Sequence, residues 1–205
     1  LILARIQGHP SRAHLHADLI RALSLLPTEL RVHSSEPPDP WAGYRACLSD
    51  LPRNCTHVLV CQDDALPCRN FAQAVEQIAG SHPEVPVCLF LGGLPSETAA
   101  RASRALGKKT YVPLGMTPFV PLVCVLWPKL KAQSFLHWSR SARGITRADD
   151  GNAAKWMRRS KQEVLVTVPS LVEHSDAPSV KGQRPCTGKW CSALFLAEDA
   201  LDYEW

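Results

Sequence analysis

The residues that most restrict the fold are Val58-Leu59-Val60-Cys61, apolar at every position, within a run that begins at His57 and ends at Gln62-Asp63-Asp64. A strand that is apolar at every position, not at alternate ones, has to be covered on both faces, and an α/β architecture supplies that cover. Ala65-Leu66-Pro67 then turns the chain. Open α/β sheets hold their ligands at the carboxyl ends of strands. Two adjacent carboxylates there are costly to keep ionised unless a cation sits between them and an anionic ligand. This stretch therefore points to a metal–diphosphate site, with a turn cap or a solvated acidic corner as the plain alternative.

The rest of the chain repeats the strand–helix alternation. Leu1–Ile6 is a short apolar run, and Gly8-His9-Pro10-Ser11 is a turn with Ser11 placed to cap a helix. Leu15, Leu19, Leu23 and Leu26 recur at helical spacing and Pro27 stops them. The spacing predicts strands at 30–33, 57–62, 87–91, 122–127 and 164–168. Helices are predicted at 41–51, from Phe71 past Ile78, at 128–140 with Pro128 in the first turn, and at 149–159. The segment 94–121 breaks the rhythm with Pro, Gly and basic residues, and the chain from Pro169 is loop-rich up to an apolar piece at 193–197. The expected fold is one domain of 205 residues. It is α/β, with a Rossmann-like, mainly parallel mixed sheet flanked by helices.

The eight cysteines would suit a secreted, disulfide-rich protein, but Cys61, Cys88 and Cys124 fall in or beside the strand runs, where a free thiol acts as a small hydrophobe. No C-x-x-C pair occurs, and only Cys186 and Cys191 form a close pair outside the core pattern. The reading is a reducing compartment, the cytoplasm, or the host cytoplasm for a viral protein. No signal peptide or run of transmembrane length is visible, so no membrane partner is expected. Leu1 already lies in the first strand-like run, which reads as a start trimmed from a longer sequence. A net charge of +4 permits an anionic partner but is small for a dedicated nucleic-acid binder.

Neither G-x-G-x-x-G nor G-x-x-x-x-G-K-[ST] is present, so phosphates have to be handled by a metal and side chains. Besides Asp63-Asp64, Asp149-Asp150 heads a predicted helix, where a carboxylate is either a cap favoured by the helix dipole or a general base. Pro169-Ser170-Leu171-Val172-Glu173-His174 follows the last clear strand. His174, Ser175, Ser179 and Lys181 share that loop, the last three being donors suited to phosphate oxygens. Asp39, Trp41, Tyr44 and Arg45 cluster before the third strand, as a nucleotide grip or as an aromatic core helix with a surface arginine.

In this order the pieces resemble a compact GT-A glycosyltransferase of the family-2-like kind, over about residues 1 to 182. Gln62-Asp63-Asp64 is similar to the D-x-D motif of that fold, with Gln62 in place of the first acid. Asp149-Asp150 is similar to the acidic motif that heads its acceptor-side helix, and His174 to the histidine that completes its metal site. The resemblance implies a nucleotide-sugar-binding half at 1–93, an acceptor-side half at 94–182 and a tail at 183–205. It implies that Asp64 and His174 bind Mn²⁺ or Mg²⁺ together with the diphosphate of a nucleotide sugar, UDP-linked as first choice. Asp63 would contact the ribose or donor sugar, with Asp39, Trp41 and Arg45 at the nucleotide base and Ser179 and Lys181 at the phosphates. Asp150, beside Asp149, would deprotonate the acceptor hydroxyl for inverting transfer.

Basic residues gather on the implied acceptor side, at Arg101, Arg104, Lys108, Lys109, Arg140, Arg143, Arg147, Arg158, Arg159 and Lys161. They form either a solvated face or contacts to the phosphates of a nucleic acid. Some phage-encoded enzymes of this kind glycosylate hydroxymethylated pyrimidines in DNA. The resemblance therefore makes such a base, flipped from the stack, the first acceptor choice, ahead of a saccharide or protein. The readings from other classes are a metal-dependent nuclease or phosphotransferase built on the same carboxylates, and a DNA-binding module.

Overall fold

The computed structural model describes residues 1–92, 96–115, 120–175, 191–192, 194–196 and 199–205. It opens with β1 (Ile2–Gly8), a single 3-10 turn at Pro10–Arg12 and α1 (Ala13–Ala22), then β2 (Thr28–Val32) and α2 (Pro40–Leu48). The fully apolar run lies within β3 (His57–Gln62), followed by the short β4 (Ala65–Pro67), α3 (Phe71–Ser81) and β5 (Val87–Cys88). Then come α4 (Ser96–Ala105), β6 (Tyr111–Pro113), β7 (Cys124–Pro128), α5 (Lys129–Ser141), α6 (Asp149–Ser160), β8 (Leu165–Thr167) and β9 (Val172–His174).

Seven strands form one sheet in the order β2-β1-β3-β7-β5-β8-β6, and β4 pairs with β9 in a separate ribbon. β1 lies parallel to β2 and β3, and β5 to β8, whereas β7 and β6 run against their neighbours. The sheet is thus mixed and mainly parallel, as the alternation predicted. Helices cover both faces. Leu59 and Cys61 face a core built with α1 and α3, through Leu19, Phe71, Val75 and Ile78. Val58 and Val60 face a second core built with α2, α5 and α6, through Trp41, Tyr44, Phe135 and Trp156. The period-2 alternation of a strand explains why four consecutive residues are apolar: each face takes two.

Several local expectations shift. The segment around 94–121 contains a helix and a strand, α4 and β6, which its scattered Pro and Gly concealed. Ser11 does not cap a helix; His9 caps the 3-10 turn, its Nδ1 accepting from the Ser11 amide. Pro128 ends β7, and α5 begins one residue later. Among the described residues no helix is long and apolar enough to cross a membrane. Cys47, Cys55, Cys61, Cys68, Cys88 and Cys124 are buried free thiols. Burial pushes Cys47 and Cys68 up to about 12, so they stay protonated and behave as apolar side chains.

Two buried polar links position α2. Trp127 Nε1 donates to the Tyr44 hydroxyl at 2.7 Å, tying the helix to β7. Arg5, inside β1 and 1% exposed, donates Nη1 to the carbonyl of Cys47 at 3.0 Å and to that of Ser49, and Nη2 to that of Asp50 at 3.3 Å. Its Nε donates to Glu29 of β2 at 3.1 Å. The end of α2, whose last carbonyls lack helical partners, is thereby closed by a side chain from the central sheet. Tyr44→Phe removes the acceptor and strands a buried indole N–H. The expected loss is about 1–3 kcal/mol, read as a lower urea midpoint with an unchanged slope.

Candidate functional site

β1 and β3 are parallel neighbours with Gln7 opposite Gln62, so both strands deliver their carboxyl ends to one place. The Asp63 amide donates to the Gln7 carbonyl at 3.1 Å, and the His9 amide donates to Asp63 Oδ2 at 2.7 Å. Gly8 permits this junction. A Cβ there would lie 2.9 Å from Leu30 Cδ1 and 3.0 Å from His16 Nε2, so the approach of His16 depends on the missing side chain. His16 Nε2 lies 3.5 Å from Asp63 Oδ2, too long for a firm hydrogen bond.

Sequence reasoning missed the residue that joins the two acids. Arg12, 7% exposed, directs Nη1 to Asp63 Oδ1 at 2.9 Å and also to Asp64 Oδ2. It stands at the N-terminus of α1, an end where the helix dipole disfavours a cation. A cation at that end of a helix needs a compensating anion, and the two acids supply it.

His174 reaches the same place from far along the chain. Ala65 pairs with His174 in the β4–β9 ribbon, and the Ser175 amide donates to the Asp64 carbonyl at 2.8 Å. That backbone pairing sets His174 Nε2 3.1 Å from Asp64 Oδ2. Burial pulls the imidazole pKa down, but the hydrogen bond and charge of Asp64 outweigh it, so His174 is held above its ordinary value. Burial pushes the Asp64 carboxyl up, and His174 and Arg12 together more than reverse this, leaving it below the usual carboxylate range. Asp64 Oδ1 and His174 Nδ1, both buried, have no hydrogen-bond partner.

The second acidic pair is attached to the first. Gln62 Nε2 contacts Asp149 Oδ2 at 3.4 Å, a long bond that places the N-terminus of α6 beside the end of β3. Asp149 is buried and its Oδ1 accepts from the Asp150 amide at 3.0 Å, while Asp150 is only half-buried and accepts from Gly151. The expected nucleotide grip is more dispersed. Asp39 caps α2, its Oδ1 accepting from the Ala42 amide at 3.0 Å. Arg45 is exposed, and Trp41 packs on Phe135 in the core with ring centroids 5.1 Å apart. Trp41 therefore does the work of a core aromatic, because the apolar face of α2 needs it there. Nearby, Gln7 donates to the Pro40 carbonyl at 2.9 Å and leaves a buried Oε1 without a partner, an acceptor that sequence reasoning passed over. Ser179 and Lys181 lie outside the described residues.

The donor set suits a hard divalent ion in one respect. Asp64 Oδ1 is a buried carboxylate oxygen with an open valence, and magnesium and manganese sites commonly use one or two carboxylates plus phosphate oxygens and water. Among the described residues no group of three or more His, Cys, Asp or Glu is arranged to hold a metal, so phosphate oxygens and water would have to complete the shell around Asp64 and His174.

No known family model matches the chain, and no curated protein matches it in sequence. Among solved structures it is similar to the crystal structure of A197 from STIV, at 10% identity, over 84% of this chain and 83% of that one, with a TM-score of 0.51. A likeness at that identity is a likeness of fold.

The two shifted groups set a pH window. The lowered Asp64 contributes stability above the ordinary carboxylate pKa and loses it as pH falls through the lowered value. The raised His174 contributes stability below the ordinary imidazole pKa and loses it as pH rises through the raised value. The pair is worth most between about pH 4 and 6.5. His174→Gln is expected to flatten the alkaline limb of melting temperature against pH. An unchanged limb would assign it to another group.

Proposed function

We propose that the protein is a glycosyltransferase that moves a sugar from a nucleotide-sugar donor, UDP-linked as first choice, to an acceptor hydroxyl with inversion. One observation carries the reading. Asp64 and His174, from segments far apart in sequence, stand 3.1 Å apart at the carboxyl end of the central sheet, and Gln62 links that point to the head of α6.

On this reading Asp64 and His174 hold the donor's diphosphate end, and Mn²⁺ or Mg²⁺ bound there supplies positive charge against the charge growing on the leaving diphosphate. Asp63 is oriented by the His9 amide and Arg12, and each of its carboxylate oxygens keeps acceptor capacity for a ribose or sugar hydroxyl. Asp149 is buried and fixes the start of α6. The half-buried Asp150 is the better placed to take the acceptor's proton. A nuclease built on the same residues needs carboxylates bracketing a scissile phosphate, whereas here Asp63 and Asp64 share one arginine.

The acceptor we favour is a hydroxyl on a polyanion, a hydroxymethylated DNA base before a saccharide or protein. What supports it is an open groove of about 500 Å³ between α4 and the carboxyl end of α6, lined by Arg101, Arg158 and Lys161 together with Glu97. The length of α6 puts the two ends of the helix roughly 18 Å apart, so an acceptor touching both would have to be extended. Phosphate contacts there would make acceptor binding weaken with salt.

Mn²⁺-dependent release of nucleoside diphosphate from a sugar nucleotide is the expected activity, and Asp64→Ala is expected to abolish it. Full turnover in that variant would remove Asp64 from the reaction. Asp150→Asn is expected to keep donor binding and slow transfer by about 10²–10⁴-fold; unchanged transfer would rule it out as the base. Sugar incorporation into hydroxymethylated DNA, compared with unmodified DNA and free saccharides, decides the acceptor.

A further inference from the structure

We infer that Arg12 is a further binding residue of this site: it is the counter-charge of Asp63 and Asp64 until a divalent cation claims them, and it then pairs with the donor's phosphates. The inference rests on the cation–diphosphate reading above.

A single guanidinium nitrogen, Arg12 Nη1, contacts Asp63 Oδ1 and Asp64 Oδ2. Asp64 Oδ2 also faces His174 Nε2, so a cation taken up by Asp64 and His174 arrives on an oxygen that Arg12 already holds. Two positive charges on one buried oxygen repel strongly, since little water screens them. The remaining oxygen, Asp64 Oδ1, is buried and unpartnered, so a cation can begin to bind before any existing contact breaks. Arg12 then loses its hold on the carboxylates while staying at the N-terminus of α1, an end that favours anions and disfavours cations. A phosphate brought in with the cation offers it an anion in place of the two carboxylates. The planar guanidinium matches phosphate in a way that a lysine ammonium does not.

The signature is a pair of effects of opposite sign. Mn²⁺ binding without nucleotide is measured by electron paramagnetic resonance, and UDP binding at saturating Mn²⁺ by calorimetry, on wild type, Arg12→Gln and Arg12→Lys. Arg12→Gln is expected to bind Mn²⁺ more tightly and UDP more weakly, each by about tenfold or more. Arg12→Lys, which keeps the charge and loses the fork, is expected to leave Mn²⁺ affinity near that of wild type and still weaken UDP. This variant keeps the test decisive if the glutamine protein does not fold. General loosening of the site would weaken both ligands together and would overturn the inference. So would Mn²⁺ affinity unchanged in Arg12→Gln, or UDP affinity unchanged in either variant, while the diphosphate reading stood. Wild type that takes up neither Mn²⁺ nor UDP would remove that reading and the inference with it.

Discussion

Asp63 and Asp64 are consecutive, both almost fully buried, and both carboxylates. Like charges that close cannot both stay ionised out of water unless positive charge is brought to them. Much of the surrounding architecture answers that demand. β1 ends in a glycine, so His16 can approach and the next amide can point at Asp63. α1 begins with an arginine at its electrostatically wrong end. A two-stranded ribbon outside the main sheet brings His174 back from across the chain. None of these is a core-packing device, and each would be a peculiarity without the acids.

The framework was legible because its signal is periodic. The apolar run at 57–62 announced a strand covered on both faces, and the two cores lie on opposite sides of it as that demands. β7 hid its antiparallel direction, because a fully buried strand has the same composition whichever way it runs. α4 hid among the breakers of its neighbourhood, with Glu97 and Arg101 pairing across one turn to support a helix that buries little apolar surface.

That Asp64 and His174 come together was legible in the sequence, and what holds them was not. Asp64 could be named from its place at a strand end, which is a local fact, and His174 from the resemblance that the ordered motifs carry. Arg12 could not be named that way: its partner lies 51 residues away and the contact exists only once β1 and β3 are side by side. Trp41 stayed open between two readings for the complementary reason, because a tryptophan beside an arginine and an aspartate has the same composition whether it stacks on a base or on Phe135. The likeness to A197 from STIV at 10% identity makes a related point, since folds can be alike when few side chains are.

Arg5 is a rivet as well as a charge. It passes from the middle of β1 to the tail of α2 and grips three backbone carbonyls there, those of Cys47, Ser49 and Asp50. Sliding that helix along the sheet would tear all three grips at once and abandon a guanidinium in a dry interior. The opposite end of α2 is tied to the carboxyl end of β1, where Gln7 donates to the Pro40 carbonyl. The helix is thus tied to the sheet at both ends, by Arg5 at its tail and by Gln7 at its head.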